Sequence, residues 1–307
     1  MSTFRAFFAG TPAFAPDPAS GWRPWGLLVP FLCIAFVAAT VVSLQVVLQH
    51  HHLLDAQENP IGIAGFAAFL LGPFSALGLT VLAWVRFVER RPFGTMGLVR
   101  GRAREFFLGH LMGVAMMTAI VLGICAAGAY QAGAIGVAFG SAAGLAGIAV
   151  LLAGFAIQSS VEELVFRGWM FSAISAKLGI PSGIVLSTLV FVLLHFDPDA
   201  TAFFYANVVL FAVFACLFAL GRGNVWGVMG WHAGWNWIAA TGFEIRVTGL
   251  DAHMPALVVR MVPGGADILT GGHEGPEGSI VCTLVLLVAT AAAGWCVRAR
   301  GPGSKRG

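Results

Sequence analysis

A chain of 307 residues with 58% hydrophobic and only 10% charged side chains cannot coat a water-facing surface, because a soluble domain carries about 25% charge. Its net charge of +3 does not point to a nucleic-acid partner, and its outside must face lipid. The five cysteines form no CxxC pair and lie in apolar runs, so they read as small buried residues.

Residues 1–24 are polar and contain Pro12, Pro16, Pro18 and Pro24. They read as a cytoplasmic tail and not as a cleavable signal, since the apolar run that follows is long enough to span. A spanning helix needs about 20 apolar residues. Eight segments are predicted, at 26–49, 61–86, 106–128, 144–176, 183–200, 202–220, 224–243 and 279–298. The fourth exceeds one straight span and is expected to be tilted, broken or partly outside the hydrocarbon. Residues 129–143 belong either to it or to a loop. Asp197-Pro198-Asp199 is a turn signal. The 244–278 segment is glycine-punctuated and reads as the long soluble loop, and 301–307 is a C-terminal tail. The predicted fold is an all-α polytopic membrane protein, with one membrane domain over 25–300.

The charges orient this bundle. Arg86, Arg90, Arg91, Arg100, Arg102 and Arg104 crowd one loop, Lys177 and Arg222 follow the fourth and sixth segments, and Arg298, Arg300, Lys305 and Arg306 close the chain. Asp55, Glu58, Asp197, Asp199 and the acidic 244–278 loop fall on the other side. Basic loops stay cytoplasmic. The expected location is therefore the inner (plasma) membrane, multi-pass, with both termini cytoplasmic and a site reachable from that side.

Ionisable residues inside a spanning helix cost about 2.5–3.5 kcal/mol each, so their presence needs a reason. The fourth segment carries Glu162, Glu163 and Arg167, the fifth His195, and the seventh His232 and Asn236. At ~1.5 Å per residue, Glu162 lies ~22 Å from Lys177, His195 ~20 Å from Ser182, and His232 and Asn236 ~15 and ~21 Å from Arg222. The helices thus bring their polar residues to one level. Glu163 and Arg167, at i,i+4, share a face and can pair, as can His232 and Asn236. A carboxylate in low dielectric is a better base near neutral pH. Glu162 is assigned to take a proton from water, and His195 to orient that water or share the proton. His232 and Asn236 are assigned to stabilise an oxyanion. Arg167 holds Glu163 and offsets the buried negative charge.

A double Glu with Arg four residues after the second, Phe191-x-x-x-His195, and His232-x-x-x-Asn236, in that order on membrane helices, resemble the signature of the CAAX-protease and bacteriocin-processing family. That family includes the Ras-converting prenyl-protein endopeptidases. The resemblance is strong over a core near 150–240. It implies an intramembrane endopeptidase, a hydrolase whose partner is a membrane-associated or lipidated peptide. It leaves two cofactor readings. Glu162, His195 and His232 carry the donor types of a zinc site, whereas the lack of an HExxH pair favours a metal-free route. The alternative functions are a non-catalytic bacteriocin-immunity or scaffold protein and, behind it, a transporter using the buried charges as an ion site.

Overall fold

The computed structural model describes Phe14 and residues 21–299. The C-terminal tail at 301–307 and residues 1–13 and 15–20 of the N-terminal tail lie outside the described residues. Eight helical segments follow the predicted order. They are α1 (Val29–His50), α2 (Gly62–Glu89), α3 (Ala103–Ala126), α4 (Ala142–Leu178), α5 (Ile180–Leu194), α6 (Ala202–Arg222), α7 (Trp226–Trp237, prolonged by a π turn over Ile238–Gly242) and α8 (Ile280–Ala299). Six are long and apolar enough to cross a membrane: α1 to α4, α6, and Gly272–Ala299, which contains α8. The protein is therefore an all-α polytopic membrane protein.

The expectation of a full span at 183–200 needs correction. Helix α5 has 15 residues and ends at Leu194. Its length of ~22 Å is less than the ~30 Å hydrocarbon core. The cause is local. Pro198 lacks an N–H and disfavours helical backbone at Asp197, and His195 already leaves the helix at φ −105 and ψ 21. Helix α7 is also not among those long and apolar enough to span.

Helix α4 resolves the question of the long fourth segment. It runs 37 residues without interruption, but Leu164–Met170 is wound as a π-helix. Wider turns of this kind inside α-helices accompany functional sites. The preceding residues 129–143 are not a plain loop: a strand and a 3₁₀ turn (Val137–Gly140) lead into α4 at Ala142. Tyr130–Ile135 forms strand β1, which pairs antiparallel with β2 (Val259–Pro263) from the long soluble segment. Ser141 then caps α4, its Oγ accepting from the Gly144 amide at 3.2 Å.

Two packing features fix the bundle around α4 and α7. Gly109 and Gly113 of α3 face Gly227 and Trp231 of α7, while Gly230 and Gly234 of α7 face the Phe106 and His110 carbonyls of α3. A Cβ at Gly230 would overlap the Phe106 carbonyl oxygen. The Gly230-x-x-x-Gly234 pattern thus serves backbone-to-backbone packing inside the chain.

The second feature is Glu89, fully buried at the end of α2. Its carboxylate accepts from Arg91 Nε at 2.6 Å, Trp84 Nε1 at 2.9 Å and Trp169 Nε1 at 2.7 Å. Trp169 belongs to α4, so one carboxylate ties the ends of two spans. Removing one partner of a buried ion pair costs about 3–5 kcal/mol. Glu89→Ala is therefore expected to lower stability by about that much, read as a fall in the thermal unfolding midpoint of the protein in detergent. A midpoint unchanged from wild type would show that Arg91 and both tryptophans re-pair without it.

Candidate active site

Glu162 and Glu163 are the last residues of the first α-helical part of α4, and the π turn begins at the next residue. Arg167 lies within that turn. Its Nη1 donates to Glu163 Oε1 at 3.2 Å, with both side chains fully buried. The guanidinium also lies 4.2 Å from the ring centroid of Phe191 on α5, so an aromatic face carries part of the buried charge. The predicted i,i+4 pair is thus present and bridges to a second helix.

His232 on α7 completes this arrangement. Its Nδ1 stands 2.9 Å from the same Glu163 Oε1. A carboxylate accepts, so Nδ1 carries the proton and Nε2 is left facing the other carboxylate. That nitrogen is 3.9 Å from Glu162 Oε2. Arg167, Glu163 and His232 therefore form one chain, which aims an imidazole at Glu162. The contact also fixes the relative level of α4 and α7. Counting from Arg222 was an imperfect ruler, because α7 starts only at Trp226.

Glu162 sits differently. Its Oε1 accepts from Gln158 Nε2 at 2.7 Å. Its Oε2 has no hydrogen-bond partner among the described residues. Gln158 Oε1 in turn accepts from Ser159 Oγ at 2.9 Å. Asn236 Nδ2 is held only loosely, 3.4 Å from Gln158 Oε1 and 3.5 Å from Ser159 Oγ. Such long contacts leave the amide free to donate elsewhere. Gln158 and Ser159 were not singled out in the sequence. The signal was present, since Gln158 precedes Glu162 by one helical turn.

His195 stands just past the end of α5. Its Nδ1 is 2.8 Å from the Phe191 carbonyl oxygen, and its ring lies 4.2 Å from that of Phe191. A carbonyl can only accept, so the neutral ring presents its lone pair at Nε2. A cavity of about 470 Å³ is walled by Gln158, Glu162, His195 and Asn236. A smaller adjoining one is walled by His195, His232, Trp235 and Glu277. All six candidate residues thus gather at one place: four line these cavities, and Glu163 and Arg167 back them from behind. The larger cavity continues to Asp197, Thr248 and Glu274, which is the acidic end of the bundle. Access expected from the basic, cytoplasmic end is not what its walls indicate. Because α5 stops at Leu194, that corner is uncovered on the acidic side.

The zinc reading fits this geometry poorly. Glu162, His195 and His232 do not converge as a three-donor group; among the described residues that distinction belongs to Asp197, His273 and Glu274.

The fold and site define a class: a multi-helix membrane protein with a buried cluster of carboxylate, imidazole and amide side chains walling a cavity. Residues 143–238 match the family of type II CAAX prenyl endopeptidases, Rce1-like. This segment spans α4 to α7 and contains every motif residue, so over this stretch the chain is similar to that family. No curated protein and no solved structure matches the chain.

Proposed function

We propose that the chain is a CAAX-type intramembrane endopeptidase that hydrolyses a peptide bond of a membrane-associated or lipidated substrate. Glu162 Oε2 takes the proton of a water molecule in the cavity, and His195 Nε2 accepts a hydrogen bond that orients it. The water oxygen attacks the scissile carbonyl, and Asn236 Nδ2 donates to the oxyanion that forms. His232, oriented by Glu163, stands beside the same oxyanion and helps to stabilise it. Arg167 holds Glu163 for that task. The proton taken by Glu162 passes to the leaving amine. The observation that carries this reading is the unbonded Oε2 of Glu162, buried at the cavity wall and 3.9 Å from His232 Nε2. The enzyme resides in the inner membrane with both termini cytoplasmic, a placement that the basic loops support.

New peptide termini, compared by mass spectrometry in membranes holding wild type or Glu162→Gln at equal abundance, test the reading. Termini found only with wild type are expected, and they would name the substrate and the cut position. Identical sets of termini from two folded proteins would reject proteolysis and leave an immunity or scaffold role in its place.

A further inference from the structure

A second cluster of ligating side chains stands at the acidic end of the large cavity, apart from the motif residues. Asp197 comes from the turn after α5. His273 and Glu274 come from the 3₁₀ turn Gly272–Gly278 that leads into α8. Their donor atoms lie within 4.8 Å of one another. His273 Nδ1 is 4.0 Å from Asp197 Oδ2 and 3.3 Å from Glu274 Oε1.

Three further observations bear on what this cluster holds. The Glu274 side chain is only 1% exposed, and no Arg or Lys pairs with it among the described residues. A buried carboxylate without a fixed cation is costly. The nearby Arg246 does not relieve it, since its Nη1 reaches the His273 carbonyl oxygen at 3.4 Å. Glu277 is committed elsewhere, accepting from Trp235 Nε1 at 2.7 Å and from the Thr248 amide at 2.7 Å. Finally, Gly249 packs against the donors with φ +76, and a Cβ there would lie 3.1 Å from His273 Cε1 and 3.5 Å from Glu274 Oε2. The missing side chain leaves the donor atoms uncovered.

We propose that Asp197, His273 and Glu274 bind one divalent cation of the zinc class, which ties the turn after α5 to the turn before α8 across the acidic end of the cavity. One imidazole with two carboxylates is a donor set of that class. At tetrahedral bond lengths of ~2.0–2.2 Å two ligands of one cation lie ~3.3–3.6 Å apart. Donors near the 4.8 Å limit must therefore close by about an ångström. His273 is half-exposed and Asp197 a third exposed, so both have room to do so. Water fills the remaining positions. Here the cation supplies a tether and takes no part in hydrolysis, so metal sensitivity of the enzyme would reflect access to the cavity and not a metal-activated nucleophile.

The test is direct binding to the full chain in detergent, stripped with chelator and titrated with ZnCl₂ against a fluorescent chelator. Wild type and Glu162→Gln are expected to bind one equivalent with the same affinity. His273→Ala and Asp197→Asn are each expected to weaken it at least tenfold, with thermal unfolding of the metal-free proteins unchanged. Asp197→Asn serves as the second variant because Asp197 bonds Tyr205 through its backbone, which the substitution leaves intact. The absence of stoichiometric binding in wild type would overturn the proposal. So would binding lost in Glu162→Gln, or binding lost when His51 and His52 of the α1–α2 loop are replaced by Ala.

Discussion

Glu162→Gln is expected to lower the turnover of peptide hydrolysis by about 10²–10⁴-fold, the contribution of a positioned general base, while KM and the unfolding midpoint stay near wild type. The amide nearly matches the carboxylate in shape. It can still bond Gln158, whose own amide can turn over to accept, but it cannot take a proton from water. The neighbouring carboxylate should behave otherwise. Glu163→Gln removes the charge that both Arg167 and His232 bond. It leaves a buried guanidinium paired mainly with the Phe191 ring. Glu163→Gln is therefore expected to cost stability of about 3–5 kcal/mol along with rate. Single-turnover rates and thermal unfolding, measured on both variants, separate the two carboxylates. Equal loss of stability in both would mean that Glu162 is a structural group.

The largest expected effect on folding comes from Gly234→Leu. The glycine faces the His110 backbone of α3, and any Cβ there collides with main chain that cannot rotate away. Helices α3 and α7 must separate, which withdraws His232 from Glu163 and Asn236 from Ser159. The expected outcome is loss of folded protein from the membrane, read as degradation in vivo and aggregation on detergent extraction. Gly94→Ala provides the control, since a Cβ at Gly94 meets nothing within 4 Å. Folded Gly234→Leu protein of wild-type stability would show that α3 and α7 do not depend on this close approach.

Much of this is legible in the sequence. Charge-poor composition and apolar runs gave the helices, and the i,i+4 spacing of Glu163 with Arg167 predicted a pair that is present. The order of polar residues on three helices pointed to their meeting place. The failures have physical causes. A π turn such as Leu164–Met170 follows from the balance of packing along a helix and has no residue signature. The end of α5 at Leu194 depends on a turn that was recognised but placed too late in the segment. Strand β1 pairs with residues more than a hundred positions away, and Asp197 meets His273 from a separate turn far along the sequence. Contacts of that range depend on how loops fold back, which local patterns do not encode. Gln158 is a different case: its spacing from Glu162 was in plain view.

The brevity of α5 has a consequence for the lipid around it. Apolar chains cannot remain at full thickness beside a wall that ends ~8 Å below the headgroups, the difference between ~22 Å of helix and ~30 Å of core. The leaflet must dip toward His195, or polar solvent must fill the notch; either brings water to a depth where hydrocarbon would otherwise exclude it. Water would thus be within reach of the cavity, as the proposed hydrolysis requires. Its activity should follow acyl-chain length, rising in thin bilayers and falling in thick ones.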